Sequence, residues 1–109
     1  MIDDQAQVEA LMQEMEAALP IPAEVTSQLR RGLRAQGAFL PTRNVTIKRV
    51  FYGGDEGGIM CDITPSQETK EGFVTSLTHL RIPFYHPLSK DIRAYQRVRK
   101  TRLAEQDGV

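Results

Sequence analysis

Residues 45–82 constrain the fold of this chain more than any other stretch. Residues 45–52 are rich in β-branched and aromatic side chains, which is typical of a strand. The glycine-rich residues 53–58 follow as a turn, because glycine adopts positive φ at little steric cost. Residues 59–64 and 73–82 have the composition of two further strands. This order predicts a three-stranded antiparallel meander.

Helices are predicted before and after the meander in the sequence. Residues 4–19 repeat apolar side chains at helical spacing, with Val8, Leu11, Met12, Met15 and Leu19 on one stripe. After a short proline-containing connector, residues 22–36 form a second helix, and residues 88–106 form a long C-terminal one. The predicted fold is therefore α+β with the order ααβββα: two N-terminal helices and one long C-terminal helix pack on the three-stranded antiparallel sheet. A chain of 109 residues corresponds to a single domain, residues 1–109.

The sequence also predicts the structure of two connecting segments and the residues that share a face of the first strand. Residues 38–42 are predicted to cross into the sheet with Phe39 and Leu40 buried, and residues 65–72 to form a polar loop. In the first strand, Val45, Ile47 and Phe51 share one face, on which Arg49 is the exception.

The predicted third strand is apolar on both faces. Val74, Leu80 and Ile82 fall on one parity, and Phe73 and Leu77 fall on the other. Helices could cover one of these faces and a partner subunit the other, which favours a homodimer.

The charged residues are segregated along the chain, although the net charge is zero. Residues 1–29 contain acidic side chains and no basic one, whereas residues 30–50 contain basic side chains and no acidic one. Such blocks pair within a monomer or between subunits, so they also fit self-association.

The composition indicates a reducing compartment. A single cysteine excludes an internal disulfide. The acidic N-terminal residues lack the pattern of a signal peptide, and no apolar run approaches the roughly 18 residues of a membrane span. We expect a cytoplasmic protein with no membrane association.

The glycine-rich string at 53–58 is a candidate binding site. It holds four glycines and two acids, which is more than a hairpin turn requires, and its candidate binding residues are Gly54, Asp55, Glu56 and Gly57. The first four residues of the string resemble the GGDEF signature of diguanylate cyclases. Gly57 stands in place of the phenylalanine and the surrounding α/β pattern is absent, so the chain is not assigned to that family. The string is either a plain turn or a recognition tip.

The predicted C-terminal helix carries a second candidate site, a basic stripe formed by Lys90, Arg93, Arg97 and Lys100. A row of cations on one helix face can follow a phosphate backbone, so nucleic-acid binding is an alternative function. The stripe could instead be a solvated face or could pair with the acidic first helix. Arg99 and Arg102 break the pattern, because they project toward the apolar side of the helix.

Three residues could in principle bind a metal: Cys61, His79 and His86. Their spacing matches neither of the clustered patterns, CxxC and HxxxH, that are typical of zinc sites. Cys61 shares a strand face with Ile59 and Ile63, which predicts a buried core thiol and not a nucleophile.

These features together favour a small, cytoplasmic, bacterial-type interaction or accessory protein that is not an enzyme. The predicted partner is another protein or a second copy of the chain, and no cofactor or metal is predicted. Two alternatives stay open: a nucleic-acid-associated protein that uses the C-terminal helix, and a small metal-dependent or cysteine-dependent enzyme.

Overall fold

The computed structural model describes residues 3–35, 43–64 and 73–107. Within them, three longer helices are α1 (Gln5–Ala18), α2 (Ser27–Ala35) and α4 (Ser89–Asp107), and α3 (Gly54–Gly57) is a single turn. The strands of the same residues are β1 (Ile21–Val25), β2 (Asn44–Ile47), β3 (Arg49–Tyr52), β4 (Ile59–Asp62), β5 (Val74–Ser76) and β6 (Leu80–Arg81), with a 3-10 turn at Leu77–His79.

The strands form two three-stranded antiparallel sheets. One sheet has the order β2-β1-β6 and the other has the order β3-β4-β5. The α+β class and the long C-terminal helix are confirmed, and β3, β4 and β5 are the predicted meander in shortened form. The order ααβββα is wrong, because a strand precedes α2 and a second sheet is present.

The predicted first strand is split between the two sheets. β2 ends at Ile47 and β3 begins at Arg49, and the amide of Lys48 between them donates a hydrogen bond to the Asp62 carbonyl at 2.9 Å. Ile47 is buried in one sheet, whereas Phe51 is exposed on the other. Because of the break at Lys48, Ile47 and Phe51 do not share the one apolar face that the alternation of residues 45–52 predicts.

The predicted third strand is also divided. β5 belongs to one sheet and β6 to the other, and the 3-10 turn at Leu77–His79 redirects the chain between them. Leu77, Leu80 and Ile82 are all buried within this one chain. No partner subunit is needed to cover these three residues, whereas Val74 of β5, which belongs to the same apolar pattern, is 46 % exposed.

β1 replaces the predicted connector and the start of the predicted second helix. Its alternation is that of a half-buried strand, with Ile21, Ala23 and Val25 buried. α2 begins later than predicted, at Ser27, where the Thr26 hydroxyl accepts a hydrogen bond from the Leu29 amide at 3.2 Å.

The first helix forms as its spacing predicts. Val8, Leu11 and Met15 are buried in the core, and the Asp4 carboxylate caps the helix by accepting hydrogen bonds from the amides of Ala6 and Gln7. Burying an aliphatic side chain of this size stabilises the fold by roughly 1.5–3 kcal/mol. These residues join apolar side chains of both sheets and of α4, including Ile21, Val25, Ile47, Ile59, Ile63, Leu77, Leu80, Ile82 and Ile92.

Two predicted segments, residues 38–42 with Phe39 and Leu40 and the loop 65–72, lie outside the described residues. In the part of the chain that is described, none of the helices has an apolar stretch long enough to cross a bilayer.

Candidate functional site

The glycine loop, residues 53–58, is a closed turn whose two ends hydrogen-bond to each other. The Gly53 amide donates to the Gly58 carbonyl at 2.7 Å, and the Gly58 amide donates to the Gly54 carbonyl at 2.7 Å. Gly54 and Gly58 have φ of 76° and 66°. The predicted need for positive φ in this loop is therefore confirmed.

Side chains from two other elements hold the backbone of the glycine loop. Arg99 donates from Nη2 to the Asp55 carbonyl at 2.6 Å, and the Ser76 hydroxyl donates to the Gly57 carbonyl at 2.8 Å. The side chains of Asp55 and Glu56 nevertheless lie at the surface. The loop therefore presents its two acidic side chains on a fixed backbone.

Beneath the loop lies the buried network, which we define as the buried pair of Asp3 and Arg99 together with Tyr95 and with Tyr52, which is 39 % exposed. Arg99 Nη1 is 2.8 Å from Asp3 Oδ2, and the two side chains are only 1 % and 3 % exposed. The Tyr52 hydroxyl donates to the same oxygen at 3.0 Å, and the Tyr95 hydroxyl lies 3.5 Å from it. The Tyr95 hydroxyl also accepts a hydrogen bond from the Ile59 amide at 2.9 Å. One network thus joins the start of α1, the end of β3, the glycine loop and α4.

The environment of the network keeps both phenols protonated. Burial raises the pKa of Tyr95 to about 12. Burial also raises the pKa of Tyr52, and its hydrogen bond to Asp3 acts in the same direction. Both hydroxyls therefore remain available as donors to the Asp3 carboxylate at neutral pH.

A second feature is the aromatic pair, Phe84 and Tyr85, in the turn that precedes α4. The two side chains are 79 % and 73 % exposed, and their rings meet edge to face with centroids 6.0 Å apart. Hydrogen bonds fix the turn beneath them: the Ser89 hydroxyl donates to the Phe84 carbonyl at 2.9 Å, and the His86 amide donates to the Pro83 carbonyl at 3.0 Å. The pair is therefore an exposed apolar projection on an ordered backbone.

The predicted basic stripe lies at the surface of α4 immediately after the aromatic pair. Lys90, Arg93, Arg97 and Lys100 are all exposed. None of the four forms an ion pair with a residue that the structure describes, although Arg93 donates to the Ile82 carbonyl at 3.4 Å.

A cleft of about 260 Å³, the α1–α4 cleft, separates the first and last helices. Its apolar lining includes Val8, Leu11, Ala94 and Val98, the last of which is 42 % exposed. Outside the Asp3–Arg99 pair, its charged lining consists of Asp4, Glu14, Asp91 and Arg102. The cleft thus combines an apolar floor with a mainly acidic rim.

The structure does not bring the three candidate metal ligands together. Among the described residues, no three His, Cys, Asp or Glu side chains are grouped closely enough to hold a metal ion. Cys61 is buried in the core as predicted, and burial raises the pKa of its thiol to about 12. His86 Nδ1 accepts a hydrogen bond from the Leu88 amide, which gives this side chain a role within the turn.

His79 lies elsewhere, on a smaller polar cleft of about 220 Å³ that Thr26, Ser76 and Lys100 also line. Burial lowers the pKa of His79, and the nearby charge of Lys100 lowers it further. The hydroxyls of this cleft already make internal hydrogen bonds, Thr26 to α2 and Ser76 to the glycine loop.

No protein-family model, curated protein or solved structure matches this chain. Its function must therefore be inferred from its own surfaces. Of these, sequence reasoning named the glycine loop and the basic stripe, but it missed the aromatic pair, the cleft and the buried network. Two adjacent aromatic residues between Pro83 and Pro87 were the available signal for the pair.

Proposed function

We propose that this chain is a small, cytoplasmic, non-catalytic protein that acts by binding another protein. The aromatic pair carries the proposal, because Phe84 and Tyr85 are exposed on a hydrogen-bonded turn. Aromatic side chains bury a large area on binding and are common among the residues that dominate interfaces. An ordered backbone lowers the entropy that binding costs.

The buried thiol speaks against a cysteine-dependent enzyme. A nucleophilic cysteine reacts as a thiolate and sits in a partly exposed, electropositive environment. Cys61 is fully buried, and its pKa of about 12 keeps it protonated. Its neighbours across the sheet are Val50 and Thr75, neither of which can act as a general base.

The proposal predicts that Phe84→Ala/Tyr85→Ala loses partner binding and keeps its fold. Removing an anchoring aromatic side chain commonly costs at least ~2 kcal/mol of binding, or about 30-fold in affinity. Removing side chains that are largely exposed should shift the free energy of unfolding by no more than about 0.5 kcal/mol. Affinity capture of tagged chain from cells, read beside a thermal melt, measures both effects.

Two variants serve as controls in the same experiment. Phe51→Ala removes an aromatic side chain that is 44 % exposed on β3, which belongs to a different sheet from β6, the strand before the turn, and it should leave capture unchanged. Asp55→Asn/Glu56→Gln tests whether the glycine loop is the recognition tip. If only this loop variant loses capture, the binding surface is the glycine loop and not the aromatic pair. If all three variants keep capture, neither the aromatic pair nor the glycine loop is the binding surface.

A second candidate function is the binding of single-stranded nucleic acid. The observation in its favour is that exposed rings and an exposed basic stripe follow each other closely in sequence, with Lys90 five residues after Tyr85, so the same region offers rings for stacking and cations for phosphates. This function predicts binding of a fluorescent oligonucleotide at low salt that falls steeply as salt rises. Arg97→Ala should weaken it on every sequence, whereas Arg31→Ala on exposed α2 should not. No binding at low salt would exclude this candidate.

A further inference from the structure

From the aromatic pair and the α1–α4 cleft, we infer that the chain binds a second copy of itself, with the pair of each copy seated in the cleft of the other. This inference rests on the proposed function and names its partner. It does not rest on the third strand, whose apolar residues Leu77, Leu80 and Ile82 are covered within one copy.

The cleft has the size and lining that an aromatic ring requires. Its volume is about 260 Å³, and an apolar cavity of about 150 Å³ is enough to hold benzene. Phe84 has no polar atom in its side chain and suits the apolar floor, whereas the Tyr85 hydroxyl needs a hydrogen-bond partner. Carboxylates at the rim, such as that of Glu14, supply such an acceptor.

The charges around the two surfaces are complementary. Apart from the buried Asp3–Arg99 pair, the charged side chains that line the cleft are three acids and one cation. The acids are Asp4, Glu14 and Asp91, and the cation is Arg102. The aromatic pair is flanked in sequence by three exposed cations, Arg81, Lys90 and Arg93, against one exposed acid, Asp91. Seating the pair in the cleft of another copy brings cations toward carboxylates, which favours this occupant over an acidic partner.

The arrangement is compatible with a two-fold axis. The aromatic pair precedes the first residue of α4, and the cleft follows α4 from Asp91 to Arg102. Two antiparallel copies of α4 therefore place the turn of one copy beside the cleft of the other, and the same contact forms twice. Each fully buried aromatic side chain contributes about 150–250 Å² to such an interface.

Sedimentation of the whole chain over a concentration series tests this inference. We expect the wild type to dimerise, and Phe84→Ala/Tyr85→Ala and Val98→Glu each to weaken dimerisation by at least about 30-fold. Val98→Glu places a charge inside the cleft. Thr101→Glu adds the same charge at an exposed position on α4 that does not line the cleft, and it should dimerise like the wild type.

Mixing the two defective variants gives the decisive result. The aromatic-pair variant retains an open cleft and the Val98→Glu variant retains its aromatic pair, so a mixed dimer keeps one of the two contacts. We expect a mixture to form more dimer than either variant alone, with one variant carrying a fluorescent label.

Three outcomes would overturn the inference: a wild type that stays monomeric, a Val98→Glu variant that dimerises normally, or a mixture that forms no more dimer than its components. If the aromatic pair is still required for capture of a different protein, the proposed function survives this failure. If capture does not depend on the pair, the proposed function fails as well.

Discussion

Replacing Arg99 with methionine should lower the free energy of unfolding by about 3–5 kcal/mol, the usual cost of removing one partner of a buried ion pair. The loss is large because the Asp3 carboxylate, 3 % exposed, stays buried but loses its 2.8 Å contact with the guanidinium. The Asp55 carbonyl loses its hydrogen bond at the same time. Urea denaturation followed by circular dichroism measures the change.

Arg97→Met is the matched control, because Arg97 lies on the same helix and is exposed. Its effect should stay within about 0.5 kcal/mol. Asp3→Asn/Arg99→Met removes both charges and should be more stable than Arg99→Met alone, since no unpaired carboxylate remains buried. Equal losses for Arg99→Met and Arg97→Met would show that the buried pair contributes nothing to stability.

The sequence predicted elements well where one helix or strand runs through one environment. The stripe of α1 repeats at 3.6 residues, and its central members Val8, Leu11 and Met15 are buried. β4 alternates as expected, with Ile59 and Cys61 in the core. In these elements the local pattern and the tertiary burial agree.

Prediction failed where a strand changes sheets. Arg49 was out of place on a predicted apolar face, and this anomaly lies next to the break at Lys48. The apolar residues on both parities of residues 73–82 marked the second break in the same way, at the 3-10 turn. The alternation of apolar and polar residues indicates which side of a strand is buried. It does not indicate that the chain has passed from one sheet to another.

β1 was missed because two prolines obscured it. Proline is rare inside sheets, since it lacks a backbone donor. Pro22 lies opposite Thr46 of β2, whereas β6 pairs only with Glu24 and Val25. Among the described residues, the part of β1 that contains Pro22 thus has a partner strand on one side only, an environment in which proline is tolerated.

The buried network could be predicted only in part. Arg99 and Arg102 were predicted to lie on the apolar side of the last helix, and of these two Arg99 is buried whereas Arg102 is exposed. The partner of Arg99 was not identified, because Asp3 lies near the opposite end of the chain. In the structure Asp4 caps α1, whereas Asp3 accepts a hydrogen bond from Arg99 in the buried network.

Replacing Gly58 with alanine should lower the free energy of unfolding by about 3 kcal/mol or more, which combines backbone strain of about 1–3 kcal/mol with overpacking of similar size. Gly58 has φ 66° and ψ −138°, a conformation almost confined to glycine. A Cβ atom here would overlap the Tyr95 hydroxyl and lie 2.8 Å from the Arg99 guanidinium carbon.

Gly54→Ala separates these two causes. Gly54 also has a positive φ, but an added Cβ meets nothing within 4 Å. Its substitution should cost about 1–2 kcal/mol, the usual penalty of a left-handed conformation, and urea denaturation of both variants measures the difference. Equal losses at the two glycines would show that overlap with the network is unimportant.

Tyr95→Phe then tests the overlap directly, because it removes the hydroxyl that an alanine at position 58 would meet. In the wild type this substitution should destabilise, since the Ile59 amide loses its acceptor. Combined with Gly58→Ala it should cost less or become stabilising, because it makes room for the new methyl group, whereas backbone strain would be unaffected. Full additivity of the two substitutions would show that the Tyr95 hydroxyl does not restrict this position, which would leave backbone conformation and the Arg99 guanidinium as the reasons for glycine.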